Sequence, residues 1–228
     1  MARRESERLM GHEGNGKGRS DSGHILNLLR DLRPMQEATD IRDLLAGLAQ
    51  AVLGATKADA CLVSLLDSQR RILRDAAAAV VPPHTLNLLV EEFSLDQFPV
   101  TEEVLRSGRG VEISVNDPEA DPAERDELRE VGFGRVLLNR LAVDGEPIGT
   151  IEAYRKPDVA FHPDDARHVD LLATFAANAY SKIQLASKLE EHYTKTIEAL
   201  CSALEARDPN TNAHTGRIRD LAVVVADA

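Results

Sequence analysis

The spacing of apolar positions changes period twice along the chain. Ile25, Leu28, Leu29 and Leu32 recur at helical spacing, so 24–32 reads as a short amphipathic helix, and Pro34 marks a bend or an end because it disfavours helical geometry at Arg33. A second helix opens with Thr39 or Asp40 as N-cap. It buries Ile41, Leu44, Leu45, Leu48, Val52 and Leu53 on one stripe, and Gly54 supplies a C-terminal stop. From Ala58 the period shortens. The continuous apolar run 58–66 closes on Asp67-Ser68-Gln69, which predicts a buried strand and a turn, with 70–80 as its antiparallel partner. Pro82-Pro83 interrupts the order, and 87–95 fits either a strand or a helix, with strand preferred. Residues 100–107 predict a helix ending at Gly108, then Val111, Ile113 and Val115 alternate as a short strand. Residues 122–131 predict a helix opened by Asp121-Pro122. Val136–Val143, Asp144-Gly145 and Pro147–Tyr154 form a hairpin pattern with a two-residue turn.

A long helix follows. Pro163 stands at its first position, with Asp164 and Asp165 in the first turn, where the helix dipole favours acids. The helical pattern runs to about Ala206 without Gly or Pro. Leu172, Ala176, Ala179, Ile183, Ala186, Glu190, Tyr193, Ile197, Leu200 and Leu204 alternate steps of four and three, the 3.5-residue period of a coiled-coil seam. Up to about Ile183 that stripe serves equally to pack on the chain's own domain. Beyond it no predicted element is left to cover it, which favours a partner helix and a homodimer, with a parallel arrangement preferred. Asp208-Pro209-Asn210 ends the helix, and 211–227 restarts as another.

Composition narrows the classes. Residues 1–23, rich in Gly, Ser and charge, read as a disordered tail. The chain has 228 residues, 43% hydrophobic and 29% charged, enough for a core; with 4% aromatics and no Trp, that core is aliphatic. The formal net charge of −11 argues against nucleic acid or an anionic membrane as partner. No apolar run approaches the ~18–20 residues of a membrane span, and the N-terminus has no apolar signal core. Cys61 and Cys201, far apart, exclude a disulfide scaffold and favour a reducing, cytoplasmic setting.

The order of elements, with three stretches in particular, resembles the GAF domain. SLDQFPVTEEVLRSGRGVEIS (94–114) is similar to the family's Pro–Leu–Gly–Val stretch, NDPEADP (116–122) to its Asp-rich loop, and 128–180 to its hairpin and closing helix. One departure is Arg140, where the family pattern usually has Pro. The resemblance covers about 40–186 and implies an α+β fold: an antiparallel sheet flanked by helices, with a long C-terminal signalling helix. A second resemblance starts at Tyr193. YTKTIEALCSALEARDPNTNAHTGRIRDLA (193–222) is similar to the opening of an HD-GYP phosphohydrolase domain, matching at Arg207-Asp208-Pro209, Thr211, His214 and Arg217. The implied division is a tail (1–23), a linker helix (24–39), a GAF domain (40–186), a coiled-coil helix (187–206) and an incomplete HD-type domain (207–228).

In complete HD-GYP members the histidine at the place of His214 is a metal ligand; the His-Asp pair and the Gly-Tyr-Pro motif are not among these 228 residues. One histidine cannot hold a hydrolytic metal, so no catalysis and no cofactor are expected of this chain, with a divalent metal only in a complete HD domain. In GAF domains ligands sit between the sheet and the loops over one face. Polar residues inside apolar strands then become candidates: Asn139 and Arg140 on one hairpin strand, Glu152 and Tyr154 on the other, with Asn116 and Asp117 opening the covering loop. Asn139 and Arg140 point to opposite faces, whereas Glu152 and Tyr154 share one. An Arg–Glu pair on a solvated face is the plainer account of these charges. The implied function is a sensor module that binds an unknown small ligand and signals through a dimeric helix to an HD-GYP-type effector, whose substrate in that family would be cyclic di-GMP. The alternatives are a ligand-free dimerisation scaffold and part of a cyclic di-GMP phosphodiesterase.

Overall fold

The computed structural model describes residues 32–84 and 92–207. The predicted tail (1–23), most of the linker helix and the HD-type segment beyond Arg207, His214 included, lie outside the described residues. By contacts the chain divides into two units, residues 1–180 and 181–228.

In the first unit a helical stretch at 32–37 includes Arg33 and Pro34, so the proline does not break it. Leu32 and Met35 are both 2% exposed, and their burial outweighs the local preference. Helix α1 (Ile41–Thr56) is capped by Asp40, whose carboxylate accepts the Asp43 amide at 2.8 Å. It runs through Gly54, against expectation, and ends where Lys57 takes a left-handed conformation (φ 52°). Strands β1 (Ala60–Asp67) and β2 (Ile72–Val80) form a hairpin. They are followed by β3 (Glu92–Ser94), a 3-10 turn at Leu95–Gln97, α2 (Pro99–Ser107), β4 (Val111–Ser114) and α3 (Pro122–Glu130). Strands β5 (Arg135–Val143) and β6 (Glu146–Arg155) follow, joined by Asp144 and Gly145, both at positive φ. Helix α4 (Asp165–Arg207) begins two residues after Pro163 rather than at it. The His162 amide donates to Asp165 Oδ2 (2.8 Å) while the Asp165 amide donates to the His162 carbonyl (2.9 Å), a reciprocal cap.

The six strands make one antiparallel sheet in the order β3-β2-β1-β6-β5-β4. Cys61, Val63, Ile151, Ala153 and Asn139 share one face, against which α1 and the first turns of α4 lie. The opposite face carries Ala60, Leu62, Val136 and Tyr154, covered by Leu128 and Phe133. A smaller cluster of Leu73, Leu95 and Leu105, with Leu66 and Phe93 against it, sits towards the β1–β2 turn. Both faces are therefore buried. No helix among the described residues is long and apolar enough to cross a membrane.

The second unit is helical through Arg207. Leu185, Leu189, Tyr193, Ile197 and Leu200 are all exposed in the chain. Their steps of 4, 4, 4 and 3 place them within an arc of about 120° at 100° per residue. Leu185 and Leu189 lie outside the predicted heptad seam, so the exposed stripe is broader than the sequence spacing suggested.

Gly149 lies between Leu65 and Leu141 in the middle of the sheet, and a Cβ there would stand 2.0 Å from the Ser64 carbonyl oxygen. Gly149→Ala is expected to cost about 2 kcal/mol or more, because backbone rather than a movable side chain must give way. Urea unfolding measures it, and a loss below about 0.5 kcal/mol, the scatter of ordinary surface changes, would contradict the close approach.

Candidate functional site

A polar row crosses the face that carries Tyr154. Asp75 on β2 stands opposite Ser64 on β1, Ser64 opposite Thr150 on β6, and Thr150 opposite Arg140 on β5. A β-bulge builds the first step: Val63 pairs with Ala77 but Ser64 with Asp75, so Ala76 is skipped and the carboxylate is turned onto the shared face. Ser64 Oγ donates to Asp75 Oδ1 at 3.2 Å. Ser64 and Thr150 are buried, so the row runs inside the molecule between the two apolar clusters.

Glu152 stands one step along β6 from this row, opposite Leu62 and Leu138. Thr150 Oγ1 donates to its Oε1 at 2.9 Å, and the Tyr154 hydroxyl donates to its Oε2. Burial pushes the Glu152 carboxyl up to about 7; the two hydrogen bonds oppose that, while the charges of Asp75 and Glu124 add to it. Burial and the neighbouring Glu152 charge push the Tyr154 hydroxyl well above its ordinary range. Tyr154 stacks against Phe133 (5.3 Å between ring centres), and Phe133 against His84 (5.8 Å).

From the covering layer, Glu124 on α3 accepts the Thr101 amide (2.8 Å) and the Thr101 hydroxyl (3.0 Å), tying α3 to the first turn of α2. Burial raises the Glu124 carboxyl as well, against those bonds.

The sequence candidates separate. Glu152 and Tyr154 meet, buried, on one face. Asn139 belongs to the other face, where its Nδ2 donates to Asp170 Oδ1 (2.8 Å) on α4, so it does not line a cavity with Glu152; strand alternation is the reason. Asn116 and Asp117 are exposed in the loop after β4, where Asp117 Oδ1 accepts the Glu119 amide (2.9 Å) in a local turn. The expected Arg140–Glu152 pair does not form. Arg140 donates to the Leu105 carbonyl (3.3 Å) and packs against Gly108, while Glu152 is met by Tyr154 and Thr150. Ser64, Asp75, Thr101, Glu124 and Thr150 were missed. Ser64 in an apolar strand and Asp75 in an Ala-rich one were visible signals; their juxtaposition depends on the bulge. Cys61 is buried and its thiol pushed up by burial, as suits a small core residue. No group of three or more His, Cys, Asp or Glu among the described residues is placed to hold a metal.

The GAF domain family model matches residues 40–180, more than half of the chain. The chain belongs to the GAF domain family. Among solved structures it is similar to the chromophore-binding domain of an unusual bacteriophytochrome, RpBphP3, from R. palustris (14% identity, TM-score 0.64), covering 77% of this chain and 66% of that one. It is similar too to the Stigmatella aurantiaca phytochrome photosensory core module (15%, TM-score 0.67, 87% and 44%). The GAF domain of an Acinetobacter phosphoenolpyruvate-protein phosphotransferase aligns at 16% identity and TM-score 0.56, over 72% of this chain and 95% of that one. At these identities the likeness shows the fold. No curated protein matches the sequence.

The raised Glu152 carboxyl sets a pH dependence. Its folded value, about 7, lies above the ordinary 4.5, so the folded state holds the proton more tightly. That stabilisation is complete below about pH 4.5 and is lost as pH rises through 7. Glu152→Gln, permanently neutral, should therefore gain stability relative to the parent between pH 5 and pH 8, by up to about 3 kcal/mol. Urea midpoints at the two pH values test this; an equal difference at both would show that the carboxylate is not desolvated.

Proposed function

We propose that this chain is a regulatory sensor module. Its GAF domain binds a small molecule over the face of Glu152 and Tyr154, and binding is passed through a helical dimer to an effector of the HD-GYP type that opens at 193–222. The observation that carries the reading is the buried Glu152, bonded to Tyr154 and Thr150 beside the row from Asp75 to Arg140. A polar strip that costs desolvation energy inside an otherwise apolar layer fits a ligand contact better than a packing role. The charges of Asp75 and Glu124 add to the rise of the Glu152 carboxyl, which favours a ligand that donates hydrogen bonds or carries positive charge over an anionic one. The phytochrome neighbours are named for chromophore binding; with Cys61 buried, a covalently attached chromophore is not part of this proposal.

A ligand-free scaffold is the second reading, favoured by the apolar cluster packed on the same face. Thermal-shift screening of small cations, amino acids and nucleotides separates the two. The sensor reading expects a compound that raises the melting temperature of the parent, with the shift lost in Glu152→Gln and Tyr154→Phe. A shift that survives both changes overturns the site, and no shift from any compound favours the scaffold.

The dimer reading rests on the exposed stripe of Leu185, Leu189, Tyr193, Ile197 and Leu200. Each large apolar side chain left in water forgoes about 1.5–3 kcal/mol. Light scattering at micromolar concentration should give a dimeric mass, and Ile197→Asp with Leu200→Asp a monomeric one. A monomeric parent, or a dimer unaffected by the double change, would overturn this reading.

For this chain we propose no catalysis, since His214 is the single metal-ligand match to the HD-type family and a divalent metal would belong to a complete HD domain. No hydrolysis of cyclic di-GMP is expected with added Mn²⁺ or Fe²⁺, and metal-dependent turnover abolished by His214→Ala would refute this.

A further inference from the structure

Arg155 follows Tyr154 on β6 and points to the other face of the sheet. Its guanidinium reaches three separate pieces of chain. Nη2 donates to the Thr56 carbonyl at the end of α1, and Nη1 to the Ala160 carbonyl in the segment before α4. It also pairs with Asp165, the first residue of α4, at 3.4 Å. The Phe161 ring lies 4.3 Å from the guanidinium carbon. Arg155 and Asp165 are both buried, 8% and 6% exposed, and Nε has no hydrogen-bond partner among the described residues. Asp165 is held in turn by the His162 amide. A planar cation with several fixed donors suits this convergence, and a lysine could not reproduce it.

We propose that Arg155 is a positioning residue that couples the Glu152–Tyr154 face to the start of α4 and the end of α1. The coupling follows from adjacency. Tyr154 and Arg155 share a peptide bond but serve opposite layers, so a displacement of Tyr154 must be absorbed by the strand or carried into the guanidinium. The strand is held on both sides there: the Asp59 amide donates to the Tyr154 carbonyl (2.8 Å), and the Gly134 amide to the Arg155 carbonyl (3.0 Å). With the backbone pinned, tilting at 154–155 is relayed to Thr56, Ala160 and Asp165 together. This rests on the proposed use of the Glu152–Tyr154 face as the ligand site, but its test needs no ligand.

Hydrogen exchange of the amides in 165–172 reads the output, and Tyr154→Phe, which removes the hydroxyl bonded to Glu152, supplies the input. In the parent, Tyr154→Phe should change exchange in 165–172 by about threefold or more, as expected for an altered local opening. In the Arg155→Lys background the same change should leave 165–172 unaltered while still altering 122–130, which packs on the Tyr154 side. Asp165→Asn is the second background, for use where Arg155→Lys fails to fold, with the same expectation. An equal response of 165–172 in the parent and in either background, or no response in the parent, would overturn the coupling. A failure of the ligand reading would register instead in the thermal-shift screen and leave this comparison intact.

Discussion

Successive side chains of β6 serve different layers, and both layers are closed. Thr150, Glu152 and Tyr154 enter one; Gly149, Ile151, Ala153 and Arg155 belong to the other. A slip of one residue would put Glu152 among the aliphatic contacts of α1 and carry Ile151 into the polar row, so register is fixed by burial on two sides. Gly149 adds a steric stop, because only a residue without Cβ fits beneath the Ser64 carbonyl. The bulge at Val63/Ser64 then makes a local exception between β1 and β2, and that exception brings Asp75 opposite Ser64.

The two buried charges on neighbouring stretches of β6 are handled in opposite ways. Arg155 meets a carboxylate, two carbonyl oxygens and an aromatic face, which replace the hydration of its two terminal nitrogens. Glu152 meets a hydroxyl and a phenol, with Asp75 and Glu124 close by. Desolvation prevails over the hydrogen bonds, and its carboxyl moves up to about 7. The first environment fixes a charge in place, as structural attachment requires. The second leaves a group whose charge is decided by what stands next to it, which is the property a contact residue in a sensor would use.

Much of the fold was legible because its signals are local. Asp40 as N-cap, Asp121-Pro122, Gly108, the Asp144-Gly145 turn and the alternation in β5 and β6 each act within a few residues. The errors at Pro34, Gly54 and Pro163 concern element ends or interruptions, where burial of Leu32 and Met35, a left-handed Lys57 and the His162–Asp165 cap overrode the local preference. The site was half legible. Two residues apart on one strand was enough to place Glu152 beside Tyr154. The cross-strand row was hidden because Asp75, Ser64, Thr150 and Arg140 are brought together by registry between four strands, and two of those registers contain a shift, at Val63/Ser64 and at Leu141/Ala142. Asn139 could be assigned to the face opposite Arg140, but the helix it bonds could not be read from the strand.

The helix stripe illustrates a subtler limit of periodicity. Alternating steps of four and three through Ile183, Ala186, Glu190 and Tyr193 describe a left-handed seam, yet one of those positions is a carboxylate and another an alanine. From 185 to 200 the large exposed side chains follow 4, 4, 4 and 3 instead, an arc of about 120° on a straight helix. A stripe that wide fixes no supercoil hand, so two such helices meeting along it would run nearly straight. Leu185 and Leu189 then sit at one margin of the contact and Ile197 at the other. A contact that broad offers more than one seam of similar apolar content, and choosing between seams requires only a small rotation about the helix axis. If the helix signals as proposed, neighbouring arrangements of comparable free energy would suit it, because the difference available from a bound ligand is only a few kcal/mol.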